Sequence, residues 1–234
     1  MVHDGHDASP DNVRMHLLAL SACLAALAIA GGASRAATPD SELIAAAAAG
    51  DVPRVKQALA QGASVRARDA AGRTALVAAT YGNHVEVARA LIAAGADVNA
   101  QDGLRNSAFL LAGARGYLEI VRMTLAAGAD LRSTNRYGGT ALIPACHYGH
   151  VETVRELLRT SIDVDHVNNL GWTALLEAVI LGDGGPAHTE IVRLLIARGA
   201  SVNLADRDGV TPLAHATRRG QSEIVRLLRS AGGR

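Results

Sequence analysis

The sequence predicts an all-α solenoid of about six helix–turn–helix units, stacked in a row and joined at β-turn or hairpin tips. Three observations carry that expectation. Thr74-Ala75-Leu76 returns as Ser107-Ala108-Phe109, Thr140-Ala141-Leu142, Thr173-Ala174-Leu175 and Thr211-Pro212-Leu213. The steps Leu76 to Phe109 to Leu142 to Leu175 are each 33 residues, and Leu175 to Leu213 is 38. A Gly stands between two apolar runs at Gly50, Gly116, Gly149, Gly182 and Gly220. The second run closes on a G-A-D-V-N pattern at Gly95 to Asn99, Gly128 to Leu131 and, with Ser201 for Asp, Gly199 to Asn203. A fixed period of this length means small units, none able to bury its apolar face alone.

Each unit can be justified in order. The hydroxyls of Thr74, Ser107, Thr140, Thr173 and Thr211 precede helical runs and suit N-caps. Pro212 fits the first helical position, where no N–H is needed. The Gly between the helices suits a left-handed residue at a helix end, a place held in the second unit by Asn83. Second helices are amphipathic, as in Val85, Val87, Ala88, Leu91 and Ile92. Residues 1–36 form an N-terminal extension and 37–234 the repeat domain, with units near 40–68, 69–101, 102–134, 135–167, 168–205 and 206–234.

The chain resembles the ankyrin repeat from about Asp40 to Arg234, on the T-x-L, interhelix Gly and G-A-D-V-N motifs. The resemblance implies a turn, two antiparallel helices and a loop per unit. The His that commonly follows T-P-L in that family is absent: Val77, Leu110, Ile143, Leu176 and Ala214 stand there. Four further departures are expected to matter. Ser161 replaces the Gly that ends a second helix, so Ser161→Gly stabilises if Ser161 is forced to positive φ. Pro144 falls in a first helical turn and removes an early hydrogen bond. Arg105 replaces the turn glycine of Gly72, Gly138, Gly171 and Gly209, which predicts a shift in register at Asp102-Gly103. The five extra residues Asp183 to Ala187 are expected to project as a loop.

The chain is 234 residues, 49% hydrophobic and only 3% aromatic, so its core is built from Ala, Leu, Val and Ile. Its formal net charge of +1 shows no basic footprint for nucleic acid. The Arg, Ala and Gly bias points to a GC-rich bacterial genome. Leu17 to Ala30 is an apolar run ending in Ser34-Arg35-Ala36, which reads as a secretory signal cleaved near Ala36. Acidic residues precede it, which a start at Val13 or Met15 instead of Met1 would remove. Leu20-Ser21-Ala22-Cys23 gives a second reading, a lipidated Cys23; the alternatives to export are a membrane anchor and a cytoplasmic scaffold. Cys146 reads as a core residue.

Catalytic signatures are absent from the sequence, and no cofactor is expected. Gly182-Asp183-Gly184-Gly185 lacks the Lys and Ser/Thr of a phosphate loop. His84, His150 and His188 share one place at the start of a second helix and read as structural. Glu177 and His215 share another place, but at a helix diameter's separation they are too far apart to bond directly, and no third partner is evident. A metal or hydrolytic role using them is the minor alternative.

A surface remains. In ankyrin proteins partners usually bind the concave side, which the resemblance maps to the turn tips and first-helix ends. Four of the six aromatic residues fall there: Tyr81, Tyr137, Tyr148 and Trp172. Arg136, His147, Ile180 and Leu181 accompany them, with Arg218 and Arg219 in the last unit. Tyr, Trp and Arg dominate binding hot spots. The expectation is a non-enzymatic, monomeric module that docks another protein in a bacterial periplasm.

Overall fold

A computed structural model describes residues 38–234. Among them are twelve helices and no strand. The inner row is α1 (Pro39–Ala49), α3 (Ala75–Tyr81), α5 (Ala108–Arg115), α7 (Leu142–His147), α9 (Ala174–Ile180) and α11 (Pro212–Arg218). The outer row is α2 (Val52–Ala60), α4 (Val85–Ala93), α6 (Leu118–Ala126), α8 (Val151–Leu157), α10 (Pro186–Ala197) and α12 (Ser222–Ser230). Each inner helix packs on its own outer helix and on the inner helices beside it, so the six pairs form a two-layer stack. The signal-like run, Cys23 and the Ala36 cleavage point lie outside the described residues.

The period is a packing rule. Leu43, Leu76, Phe109, Leu142 and Leu175 follow at 33-residue steps and are all essentially fully buried. Val154 and Leu157 of α8 repeat as Val192 and Leu195 of α10 at the back of the same core. Burying one such side chain stabilises by about 1.5–3 kcal/mol, and each is shared between neighbouring repeats.

The caps form where expected, with one exception. Thr74, Ser107, Thr173 and Thr211 each accept the N–H three residues on, from Val77, Leu110, Leu176 and Ala214, at 3.2–3.3 Å. Thr140 does not. Its hydroxyl is buried with no partner among the described residues, and α7 starts one residue late, with Ala141 at the cap. The cause is Pro144. In neighbouring repeats the fourth residue after the cap donates to the cap carbonyl, as Ala78 does to Thr74 and Glu177 to Thr173, both at 2.9 Å. Pro144 has no N–H, and its ring crowds that carbonyl.

The other departures resolve differently from expectation. Arg105 does not shift its turn; it takes the left-handed conformation itself, at φ 60°. Asp102 N–H still reaches the Asn106 carbonyl at 3.0 Å, as Asp69 N–H reaches Arg73. Ser161 is not left-handed, although the glycines at its place elsewhere have φ of 84–93°. The Thr160 hydroxyl takes over instead, donating to the Leu157 carbonyl at 2.6 Å and accepting the Ile162 N–H at 3.2 Å. Asn83 is left-handed as predicted, at φ 54°.

Between the two helices of the fifth repeat the left-handed glycine is Gly184, not Gly182. A Cβ on Gly182 would lie 2.2 Å from the Ala178 carbonyl oxygen, so close approach and not φ requires glycine there. The insert is only partly a loop. Asp183 to Gly185 turn, then Pro186 and Ala187 enter α10 and lengthen it to 12 residues.

Candidate functional site

The turn tips are built by an Asp or Asn at one repeating place that sequence reading passed over. Asp69, Asp102, Asn135, Asn168 and Asp206 each fold a side-chain oxygen back onto two backbone N–H groups of their own tip. This side-chain-to-backbone turn holds the tip without a strand. Neighbouring tips then join by backbone bonds, Gly103 N–H to Ala71 and Asn169 N–H to Tyr137, both 2.9 Å. The signal was an Asp or Asn recurring in step with the T-x-L motif.

On this rigid row stand Leu104, Tyr137 and Leu170, spaced by 33 residues and 48%, 54% and 51% exposed. At the inner-helix ends Tyr148 and Leu181, again 33 apart, are 61% and 41% exposed. All five line one groove of ≈ 990 Å³, which also takes in Arg115, Ile143 and Pro144. Tyr148 stacks on the His147 ring, with centroids 4.1 Å apart and planes 14° from parallel. The Arg136 guanidinium lies 4.7 Å from the Tyr137 ring centre and donates to its hydroxyl at 2.7 Å.

The groove floor holds a carboxyl. Glu177 is 6% exposed; Asn168 donates to its Oε1 at 3.0 Å, and His147 Nδ1 lies 3.6 Å from Oε2. Burial pushes its pKa up to about 7, against the Asn168 hydrogen bond. Burial first, and then His188, hold His147 below the usual histidine range. The Cys146 thiol is raised by burial and by Glu177, which fits a core residue.

The partners of Glu177 and His215 correct the sequence reading. Each meets the tip residue nine positions earlier in its own repeat: Asn168 for Glu177, and Asp206 for His215 at 2.7 Å. His84 and His188 bond carbonyls of the preceding inner helix, at Ala48 and His147, as their shared place implied.

The predicted partner-binding residues divide. Arg136, Tyr137, His147, Tyr148 and Leu181 come together on the groove. Tyr81 reaches its edge but is half-buried, donating to Asp102 at 2.9 Å and accepting from Asn106 at 3.1 Å. Trp172 and Ile180 are half-buried and do not line the groove. Arg218 and Arg219 are exposed beyond it, and Arg219 donates to the Gly182 carbonyl at 3.1 Å. Leu104, Leu170 and Glu177 are among the groove residues that an aromatic-centred reading left out.

The family described as ankyrin repeats matches in three copies, over residues 16–102, 109–206 and 183–233. The chain belongs to the ankyrin-repeat family. It is 57% identical to a crystallised ankyrin repeat domain from Acinetobacter baumannii AYE, at a TM-score of 0.80, over 82% of this chain and 98% of that one. The ankyrin repeat domain of Bcl-3, a member of the IkappaB protein family, is 29% identical at a TM-score of 0.73, over 83% and 87% of the two chains. A putative ankyrin repeat protein of Escherichia coli K12, YahD, is 50% identical over 56 residues. That match spans 24% of this chain and 28% of the relative. Ankyrin repeats are generally protein–protein interaction modules and typically non-catalytic scaffolds.

Proposed function

We propose that residues 38–234 form a non-enzymatic docking module whose groove, on the concave side of the stack, captures a protein partner. The observation that carries this is the double row of Leu104, Tyr137, Leu170, Tyr148 and Leu181, side chains left open on a face whose tips are each closed by a side-chain-to-backbone turn. Rigid tips mean that little ordering accompanies binding. Exposed Tyr and Leu beside Arg136 offer apolar area with few torsions to freeze.

The test is positional crosslinking from Tyr148 and Leu170 against Arg155 on the outer helix α8, in the native host. The captured partner is then purified and its affinity measured. Tyr148→Ala with Leu170→Ala should weaken it by on the order of 2 kcal/mol or more. Arg155→Ala and Glu156→Ala should leave it unchanged; loss on the outer pair alone rejects the groove.

The place of action proposed is the periplasm, on the apolar run Leu17 to Ala30 and the small residues at Ser34 and Ala36. Mature protein from the host should begin at or near Ala37. Full-length chain in the cytosol would favour a cytoplasmic scaffold.

A further inference from the structure

We propose that Glu177 anchors a subsite for a single cationic side chain, a lysine or arginine of the docked polypeptide, with the aromatic and aliphatic groove wall receiving its stem. This rests on the docking reading above and names the chemistry of its occupant. The geometry is specific to the fifth repeat. In the sixth, Asp206 and His215 complete each other in a 2.7 Å hydrogen bond. In the fifth, the tip residue is the neutral amide Asn168, which occupies only Oε1 of Glu177. Among the described residues none donates a hydrogen bond to Oε2; its nearest basic atom there, His147 Nδ1, stands off at 3.6 Å. A carboxyl held at 6% exposure on the floor of a groove is therefore left with one open acceptor.

A buried carboxyl with an open acceptor is poorly solvated, and a charged donor satisfies it better than water held between apolar walls. Lysine and arginine suit those walls because their stems lie along apolar surface while the head reaches a charge. His147 connects the two, with one face stacked on exposed Tyr148 and its Nδ1 toward Glu177. The rim arginines do not cancel this attraction. Arg136 is engaged by Tyr137, and Arg115 is exposed, where solvent screens it. No basic side chain among the described residues hydrogen-bonds Oε2, and the titratable groups around Glu177 have other partners or keep their protons. His147 is held below the usual histidine range, Cys146 keeps its thiol proton, His188 lies between Asp183 and the His147 carbonyl, and His215 is committed to Asp206.

The probes are blocked tripeptides Ac-Leu-Xaa-Leu-NH2, with Xaa Lys, Arg, Gln or Glu, titrated against the full chain at about pH 8, where a carboxyl of pKa about 7 is ionised. Carboxyl NMR of Glu177 reads the site. The Lys and Arg peptides should bind about tenfold more tightly than the Gln and Glu peptides, and should lower the Glu177 titration midpoint. Glu177→Gln should remove that preference and keep the weak apolar binding common to all four. Should that variant fail to fold, the native chain at about pH 5 serves in its place, because protonated Glu177 should lose the preference. Equal binding of Lys and Gln peptides, or a Glu177 midpoint that does not move, overturns the proposal. If neither basic peptide is preferred while Tyr148→Ala still releases the protein partner, the subsite fails and the docking reading stands. If the preference holds but the partner crosslinks only to the outer helices, the docking reading fails and the subsite stands.

Discussion

On the outer helices, neighbouring repeats meet through opposite charges; on the inner side and the tips, they meet around groups left incomplete. Arg122 of α6 pairs with Glu119 at 2.9 Å and crosses to Glu156 of α8 at 3.3 Å, while Arg155 crosses to Glu190 of α10 at 3.1 Å. Such exposed pairs contribute about 0–1 kcal/mol each, and they leave the outer surface polar and satisfied. The inner side instead carries a left-handed Arg105, an unpartnered Thr140 hydroxyl behind Pro144, and a buried Glu177 with one free oxygen. Pro144 and Glu177 line the groove itself, and Arg105 sits between Leu104 and Asn106, which do. These three departures gather at the open face, as expected where a face is held for binding, although the left-handed Asn83 and the buried, unbonded Gln221 Oε1 lie away from it.

The largest effect expected from this contrast is at Glu177. Its folded pKa of about 7 lies above the ordinary 4.5, so the folded state holds a proton that the unfolded chain gives up. The resulting stability is fully present below about pH 4.5 and is lost as pH rises through about 7, an amount of up to about 3 kcal/mol. Asp69 and Asp206 are lowered, by backbone hydrogen bonds and by Arg73 or His215. Their contribution is lost only as pH falls through the acid range, outside this window. His147 and His150 are lowered by burial, so their contribution runs the other way and is lost as pH falls below about 6.5. The Glu177 decline is therefore read as the difference between the native chain and Glu177→Gln in urea unfolding across pH 4 to pH 8. A decline of the same size in both proteins would place its source elsewhere.

Next comes Pro144→Ala. It restores an N–H for the Thr140 carbonyl and frees Ile143 N–H to reach the Thr140 hydroxyl, as in the five other repeats. Against this, alanine gives the unfolded chain more freedom. The net gain should be about 1–2 kcal/mol in denaturant midpoint. No gain would show that the idle hydroxyl has another cause. Arg105→Gly should follow with about 1 kcal/mol, the cost of a left-handed residue that bears a Cβ. Its guanidinium contact to Thr134, at 3.4 Å on the surface, is too weak to offset that gain. A lower midpoint would mean that the contact outweighs the backbone.

What could be read from sequence follows the same division. Leu43 to Leu175 had to be large and apolar in every repeat because each fills the same slot, so the period announced the fold. Tyr137 and Tyr148 were legible because exposed aromatics are rare in this chain. Trp172 was not, because its half-burial depends on how its tip folds over its neighbours. Thr140 carries the same T-A-L signature as Thr173; only a proline four residues later decides that one caps and the other does not. The bond between Asn168 and Glu177 crosses from tip to helix, and it becomes visible only when Asp206 and His215 are set beside it. The insert misled because spacing counts residues without telling which of them continue a helix.

Ser161→Gly is the smallest expected effect and the sharpest test of the outer side. At this place Gly62, Gly95, Gly128, Gly199 and Gly232 are left-handed, and the residue after each glycine reaches back to a helix carbonyl, as Ala63 does to Ala58 at 3.0 Å. In the fourth repeat Thr160 supplies both halves of that closure with one hydroxyl, so Ser161 has no positive φ to relieve. Glycine there adds only freedom to the unfolded chain, and the denaturant midpoint should be unchanged or fall by less than about 1 kcal/mol. The substitution Thr160→Val removes the hydroxyl at nearly constant shape and should cost about 1 kcal/mol. In that background the loop has reason to adopt the glycine closure of the other repeats, so Ser161→Gly should now stabilise. The two changes should thus be non-additive, with a favourable coupling measured by a double-mutant cycle. A rise in midpoint from Ser161→Gly alone would show that the serine is strained after all, and that the outer side also carries an uncompensated departure.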